Sequence, residues 1–427
     1  MLEELLEILK NSEADDYEVT QSVSTGWEFY FIKHKLDQNR ATKVEEVKVK
    51  VYKKIDDGQY LGFAVGDIAP TAGREEMEKA VKDLVYQASL VKNRPYALQV
   101  PKEAEEIEVR IPDASDEAEK FITAFNEIPE TDTEYLNSYE IFSKVTTKRY
   151  ITSTGIDVTE TYPSSTLDVV VNAKNDEHEI ELYRFYKLGA CDKAHVCREI
   201  EDTLRFGRDR LNAVNTPVLK ECPVVFSTDA ALQIYDYFLG NLNTALVVRR
   251  MSTFEIGKPI AEEIKGDKVT IETRRVLENS DRNFRYDAEG SVVRDEVLME
   301  ADVPKAYWGG RMFSQYLGLD DTFSLTNYAV SGGTKSEEEI RSGKYLEIVE
   351  FSDFQVNDMT GDIFGEIRLA YYHDGDQCTV VSGGSVSGDL KEALKEMYMS
   401  NTSRQFNNAL IPSLTRLEKV TISGIEE

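Results

Sequence analysis

Apolar side chains recur along this chain with two periods, and the switches between them mark out its elements. Leu2, Leu5, Leu6 and Leu9 follow helical spacing in the opening MLEELLEILK and predict an amphipathic first helix. From Tyr17 to Leu36 aromatic and β-branched residues predominate, and Val47, Val49 and Val51 then alternate with Lys48 and Lys50, as half-buried strands require. Asp57-Gly58 is a hairpin turn, because glycine reaches positive φ at little cost, and Tyr60–Val65 is the returning strand. Beyond Pro70, residues Met77, Val81, Leu84, Val85 and Ala88 lay one apolar stripe on a helix that ends before Pro95.

The order then repeats. A helix over Ser115–Asn126 carries Phe121, Ile122 and Phe125. Strands follow around Lys148–Thr152, Leu167–Ala173 and Glu179–Tyr186, and then a helix over Asp192–Leu211. Two strand-then-helix units suggest a duplication, although no residue-level identity links them. Pro217 and Pro223 bracket a short connector, which sets the expected boundary near residue 215. Past it, Asp229–Thr244 reads as a helix with Leu232, Tyr235, Leu239 and Leu242 on one side. Val269–Thr273, Glu296–Glu300, Tyr345–Glu350, Glu366–Tyr372, Thr379–Val381 and Arg416–Ser423 read as antiparallel strands, interrupted by a helix over Asp389–Met399. The fold class expected is α+β: an N-terminal mixed α/β domain over 1–215 and a β-rich domain with an antiparallel sheet over 216–427.

Charge narrows the function. Over 427 residues, 50 Lys+Arg against 78 Asp+Glu leave −28, which repels the phosphate backbone of nucleic acids and anionic membrane surfaces alike. No nucleic acid or membrane partner is expected. The longest apolar runs, such as Asp168–Ala173 and Cys378–Val381, fall far short of the roughly 18 residues of a span. Glu3 and Glu4 stand where an export signal has basic residues, and four cysteines in so long a chain suit a reducing compartment, so a cytoplasmic location is expected.

Candidate chemistry is sparse, because the chain has only four histidines. His178-Glu179 opens a zinc-peptidase pattern, but the position one turn on is Leu182 and the segment reads as a strand. Cys191 and His195 are an i, i+4 pair to which Cys197 adds a third soft donor on another face. A zinc site there competes with the preferred reading of two small apolar thiols and a surface imidazole. His373 and Cys378, five residues apart, are a conceivable thiol–imidazole pair, though a solvated turn His beside a strand Cys is preferred. Ser382–Gly388 superficially resembles a phosphate cradle but lacks a Gly-Lys-Ser/Thr ending, and a turn into a helix explains its small residues.

Three segments, in order, resemble the TldD/PmbA family, also called TldD/TldE or "modulator of DNA gyrase" proteins. The first is Asp287-Ala288-Glu289-Gly290 with Arg294 and Glu300, through Leu317-Gly318-Leu319, similar to that family's D-x-E-G, Arg and Leu-Gly pattern. The second is Val356–Gly365, similar to V-N-P-x-T-G-D-F with Asp358 in place of Pro. The third is Ser387–Glu392, similar to the glycine-anchored helix before the last strand. The strands at Val49–Tyr52 and Leu61–Ala64 and the stretch Asn93–Tyr96 fall in family order, so the resemblance runs along essentially the whole chain.

The resemblance implies a peptidase system of two kinds of subunit, one carrying zinc on a His-Glu-x-x-x-His helix and a PmbA/TldE kind without it. The helix after Pro223-Val224-Val225-Phe226 offers Tyr235, Asp236, Tyr237 and Asn241 but no His, and Met399–Leu414 holds no Cys where catalytic members place a ligand. The expectation is therefore a non-catalytic subunit with no catalytic residue, metal ligand or cofactor of its own, zinc being confined to a partner. Its partners would be a TldD-like catalytic subunit or a second copy, plus a flexible peptide. Gln355, Asn357, Thr360, Gly361, Ser382, Gly383 and Gly384 are the residues expected to line a peptide groove, although tight turns account for them equally well. A homodimeric peptide-binding module and a metallopeptidase with a relocated metal site remain alternatives. With −28 on the chain, any effect on a gyrase would run through protein contacts.

Overall fold

The structure is a computed structural model that describes residues 1–425. The N-terminal half runs α1 (Leu2–Lys10), β1 (Asp16–Ile32), β2 (Lys35–Ile55), β3 (Tyr60–Ile68), α2 (Arg74–Ser89), then α3 (Ala114–Asn126), β4 (Glu134–Thr152), β5 (Asp157–Lys174), β6 (Glu179–Leu188) and α4 (Lys193–Leu211). The αβββα order thus occurs twice. All six strands join in one antiparallel sheet, ordered β3-β2-β1-β4-β5-β6, in which the first strands of the two units pair with each other. The two units therefore relate as a two-fold axis through the β1–β4 pair would relate them.

Period-2 burial explains how the sheet is used. Val19 and Phe31 lie on one face of β1. Val19 packs with Val49, Val51, Leu5 and Met77 beneath α1 and α2, and Phe31 with Phe121, Tyr139 and Val169 beneath α3 and α4. All four helices cover that face. The opposite face, bearing Tyr150, Glu160, Tyr162 and Ser164, meets the C-terminal half. There Phe284 packs edge-on against Tyr162, Arg285 pairs with Glu160 at 3.2 Å, and Ser164 and Lys187 approach Asp281.

The C-terminal half comprises β7 (Val214–Asn215), β8 (Leu219–Phe226), α5 (Leu232–Asn241), α6 (Thr244–Val248), β9 (Thr270–Arg274), β10 (Glu296–Glu300), β11 (Val303–Pro304), α7 (Arg311–Tyr316), β12 (Asn327–Ser331), α8 (Glu337–Ile340), β13 (Tyr345–Val356), β14 (Asp362–Asp374), β15 (Gln377–Ser382), β16 (Ser385–Asp389), α9 (Leu390–Ala393), β17 (Met397–Met399), β18 (Ser403–Phe406), β19 (Ala409–Pro412) and β20 (Thr415–Ser423). Pairings β13–β8–β20–β16–β14 close on themselves through β13–β14, and a second sheet runs β11-β10-β9-β12-β19-β18. Most of these ladders are antiparallel, with β8–β13, β12–β19 and β7–β15 parallel. Residues of both sheets enclose α5, whose Ile234, Tyr235, Tyr237, Phe238 and Leu239 are all buried, so this helix is apolar nearly all round.

Four local expectations change. The strand from Tyr17 ends at Ile32, because Lys33 and His34 take positive φ and reverse the chain, which puts Leu36 in β2. The helix expected over Asp229–Thr244 opens with a 3-10 turn at Asp229–Ala231 and stops at Asn241; Asn243 then caps α6 by accepting from Ala245 N. The one expected over Asp389–Met399 is short, for Met397–Met399 pairs with β20 and buries Met397 and Met399 on one side of a strand. Ser382–Gly388 is no turn into a helix: Gly383 and Gly384, both at positive φ, form a bulge between β15 and β16, which pair one after the other along β14. No helix among the described residues is long and apolar enough to cross a membrane.

Candidate functional site

Where the two halves meet, a cleft of about 670 Å³ opens between β6, α4, the start of α5, β13 and β18. Each wall follows from local structure. β6 is the last strand of its sheet, so its outer edge is unpaired among the described residues, and Tyr183 and Phe185 stand 57% and 53% exposed beside it. Helical spacing brings His195, Glu199, Asp202, Thr203 and Phe206 to one face of α4. β8 ends at Phe226, and the chain turns through Ser227, Thr228 and Asp229 into α5, so that Thr228, Asp229 and Gln233 form the floor. β13 adds Glu347, Glu350, Phe351 and Phe354.

The polar groups in this cleft are mostly neutralised in pairs. Arg184 of β6 meets Glu350 of β13, and Arg404 of β18 meets Glu199 of α4 while also donating to Ser227 O at 3.0 Å. Arg341 grips Glu347 with Nε and Nη2, each at 2.9 Å. Burial works to raise the Glu347 pKa, but that two-pronged contact outweighs it and holds the carboxyl below its ordinary value. His195 Nδ1 lies 3.6 Å from Glu199, and burial pushes the imidazole below its ordinary pKa.

The floor bears on the metal question directly. Thr228-Asp229-Ala230-Ala231-Leu232-Gln233 has the spacing of His-Glu-x-x-x-His with a hydroxyl and an amide where the imidazoles would be. No group of three His, Cys, Asp or Glu among the described residues is placed to hold a metal ion. Cys191, His195 and Cys197 are divided. Cys191, just before α4, and Cys197 pack against the core beneath α3 and α4, with Cys191 N donating to Glu117 and Cys197 Sγ to Ala124 O at 3.6 Å, whereas His195 faces the cleft. His178 ends a tight turn held by Asn175, and Glu179 begins β6.

His373 and Cys378 do meet. They are direct partners across β14–β15, with Cys378 Sγ 3.6 Å from His373 Nε2 and Tyr345 stacked on the imidazole at 4.4 Å. Burial raises the thiol pKa and lowers that of the imidazole, which disfavours a thiolate–imidazolium pair.

None of the seven residues expected to line a groove borders the cleft. Gln355 pairs with Phe364 at the end of β13; Asn357 Oδ1 accepts from Met359 N and Thr360 N; Thr360 Oγ1 donates to Asp362; and Gly361 takes φ +82°. Ser382 Oγ donates to Arg368 O, and Gly383 N to Ile367 O, beside Gly384. The turn and the bulge abut β14 near Asp362 and near Ile367, roughly 17 Å apart at the rise of a strand. The structure does not join them into one site.

The Asp287-Ala288-Glu289-Gly290 turn lies in the seam between the halves. Asp287 accepts from the backbone N–H groups of Glu289, Ser291 and Ser324, and Glu289 accepts from Arg311 N at 2.6 Å. Gly290, at φ +77°, sits so close that a Cβ would come 2.9 Å from Ile156 and 3.0 Å from Tyr150. That turn therefore fastens the C-terminal half to the N-terminal sheet.

Residues 219–424 match the PmbA/TldA metallopeptidase C-terminal domain family. An uncharacterized protein of Methanocaldococcus jannaschii is 23% identical over 282 residues, which cover 62% of this chain; the chain spans 64% of the length of that curated relative. Among solved structures, TldE from Thermococcus kodakarensis gives a TM-score of 0.80 at 16% identity, over 99% of this chain and 100% of that one. Candidate modulators of DNA gyrase from Thermotoga maritima and Bacteroides thetaiotaomicron each give 0.78, at 14% and 15% identity, over 99% of this chain and 100% and 97% of theirs. At such identities the likeness is one of fold, and it runs from end to end.

Proposed function

From a chain that belongs to the TldD/PmbA family, we propose a non-catalytic, PmbA/TldE-like subunit of a two-part peptidase system acting on flexible peptides. The observation that carries this reading is the cleft floor. Zinc that keeps an open position for water takes three protein ligands, usually with imidazole or thiolate among them. Thr228, Asp229 and Gln233 supply one carboxylate, a hydroxyl and an amide. The open edge of β6 supports the other part of the reading, because an extended peptide can add to it as a seventh strand, with its side chains alternating toward and away from the cleft. Zinc and bond cleavage then belong to a TldD-like partner. Division near residue 215 gives each half one wall of the cleft. Four unpaired thiols support a reducing, cytoplasmic setting.

The test is reconstitution with a zinc-bearing TldD-like subunit and an unstructured fluorogenic peptide. Cleavage should fall at least tenfold when this chain is left out, and cleavage indifferent to its omission overturns the proposal. Turnover by this chain alone, with stoichiometric zinc that His195→Ala removes, would establish the relocated metal site instead. Peptide bound and returned intact by the pure protein, with no effect on the partner, would leave a binding module.

A further inference from the structure

We propose that the cleft floor is a receptor for a primary ammonium group, the amino terminus or a lysine of a bound peptide, with Asp229 as its counter-charge. This rests on the reading of the cleft as a peptide site and adds what that site selects. A census of charge in the cleft supports it. Arg184 is taken by Glu350, Arg205 by Asp202, Arg341 by Glu347 and Arg404 by Glu199, while Lys187 reaches out of the cleft to Asp281. Asp229 alone among the acidic residues lining the cleft has no cation within 4 Å among the described residues. It is open to the solvent of the cleft, yet walled in enough that burial, its largest influence, pushes its pKa up, with Arg184 and Arg404 opposing from farther off. A cation brought there gains an attraction that water only partly screens.

The surrounding polar atoms complete the match. Tyr186 Oη and Arg404 Nε, both in residues that line the cleft, are buried and have no hydrogen-bond partner among the described residues. Buried polar atoms of this kind are rare in native proteins, and two in one cleft point to a site that a ligand finishes. A peptide amino terminus carries the complementary set: an ammonium for Asp229 and the Tyr186 oxygen, and next to it a carbonyl for the Arg404 N–H. The carboxylate end of a peptide finds no cation there that is not already engaged. A volume near 670 Å³ holds a few residues of peptide, which fits recognition of one end and not of a folded surface.

Binding of dye-labelled peptide amides to the purified full-length chain, read by fluorescence polarisation, tests the assignment. The probes are an unstructured, lysine-free octapeptide with a free amino terminus, its N-acetylated form, and an acetylated form carrying one lysine. Acetylation should weaken binding to the wild type by about tenfold or more, the loss of one partly screened charge pair. In Asp229→Asn, which keeps the side-chain shape, free and acetylated peptides should bind within about twofold of each other. Recovery by the lysine-bearing acetylated peptide, dependent on Asp229, assigns the lysine as the source of the ammonium. Equal binding of free and acetylated peptides by the wild type overturns the receptor and leaves peptide docking standing. Failure of every probe to bind overturns the peptide site and the receptor with it. The wild-type comparison needs no variant, so a misfolded Asp229→Asn does not blunt it.

Discussion

At Asp287 burial and hydrogen bonding pull one carboxyl in opposite directions, and the pH dependence of stability reports which prevails. The side chain is 7% exposed and accepts from three backbone N–H groups, at 2.9 Å from Glu289, 2.9 Å from Ser291 and 2.7 Å from Ser324. Those bonds favour the carboxylate. Burial is the larger influence and pushes the pKa up to about 6 from an ordinary 3.8. Between those values the folded chain binds the proton more strongly than the unfolded chain does. The contribution is therefore full below pH 4 and is lost as the pH rises through 6. Worked through the linkage relation, the loss between pH 5 and pH 7.5 is about 1.4 kcal/mol. Asp287→Asn removes the titration while its Oδ1 still accepts from Glu289 and Ser291. Urea unfolding followed by tryptophan fluorescence, across a pH range above the isoelectric point near 4.7, gives the comparison. The stability of the variant relative to the wild type should improve by about 1.4 kcal/mol from pH 5 to pH 7.5, whatever the constant offset from the lost Ser324 contact. A difference flat to within about 0.5 kcal/mol would show that three N–H donors offset burial and hold this carboxyl at its ordinary pKa.

The N-terminal half offers a packing test: Phe125 is fully buried and stacks on Tyr139 at 4.5 Å with 4° between the rings, so Phe125→Ala should cost about 3–5 kcal/mol in urea unfolding, and a cost below about 1 kcal/mol would contradict the packing. Among the four thiols, Cys378 is exposed, Cys191 and Cys197 are half-buried and Cys222 is buried. An aromatic disulfide reagent should therefore show a first phase of one thiol per chain that Cys378→Ser abolishes, and a first phase that survives this substitution would misplace the accessible thiol.

How much of the fold could be read in the chain depends on how local its causes are. The strands and helices of the N-terminal half follow from runs such as Val47-Val49-Val51 and Met77–Ala88, where period decides the element and the buried face together. The repeat of αβββα was legible as an order of elements. Its meaning, a single sheet joined through β1 and β4, was not, because strand pairing over 100 residues apart leaves no local mark. Breakdowns came where tertiary contact overrides propensity. Glu392–Met399 has the composition of a helix, yet burial of Met397 and Met399 against β20 draws the segment into a strand. Asp229–Thr244 stops early because Asn241 donates to Asp358 O in a distant hairpin and Asn243 starts a new cap.

The cleft escaped sequence reasoning for a related cause. Its charged groups come from elements whose partners are remote, Arg184 from Glu350 and Arg404 from Glu199, and each of these residues in its own stretch looks like one more solvated charge among many. The scarcity of histidine and cysteine was plain in the chain, and it limited what metal chemistry these residues can support. What replaces that chemistry was hidden, because Asn357, Thr360 and Gly361 of the β13–β14 hairpin and Gly383 of the bulge along β14 drew attention through glycine and turn composition while their polar atoms are taken up by nearby groups of the fold itself. A group that satisfies its own backbone has little left for a ligand. Asp229 is the opposite case. It sits in an unremarkable Ser-Thr-Asp stretch, and it matters only because the fold pairs every neighbouring arginine with another carboxylate and leaves this one facing open space. Such a residue is found by subtraction over the assembled walls of a cleft, once each of the other charges has been assigned its partner.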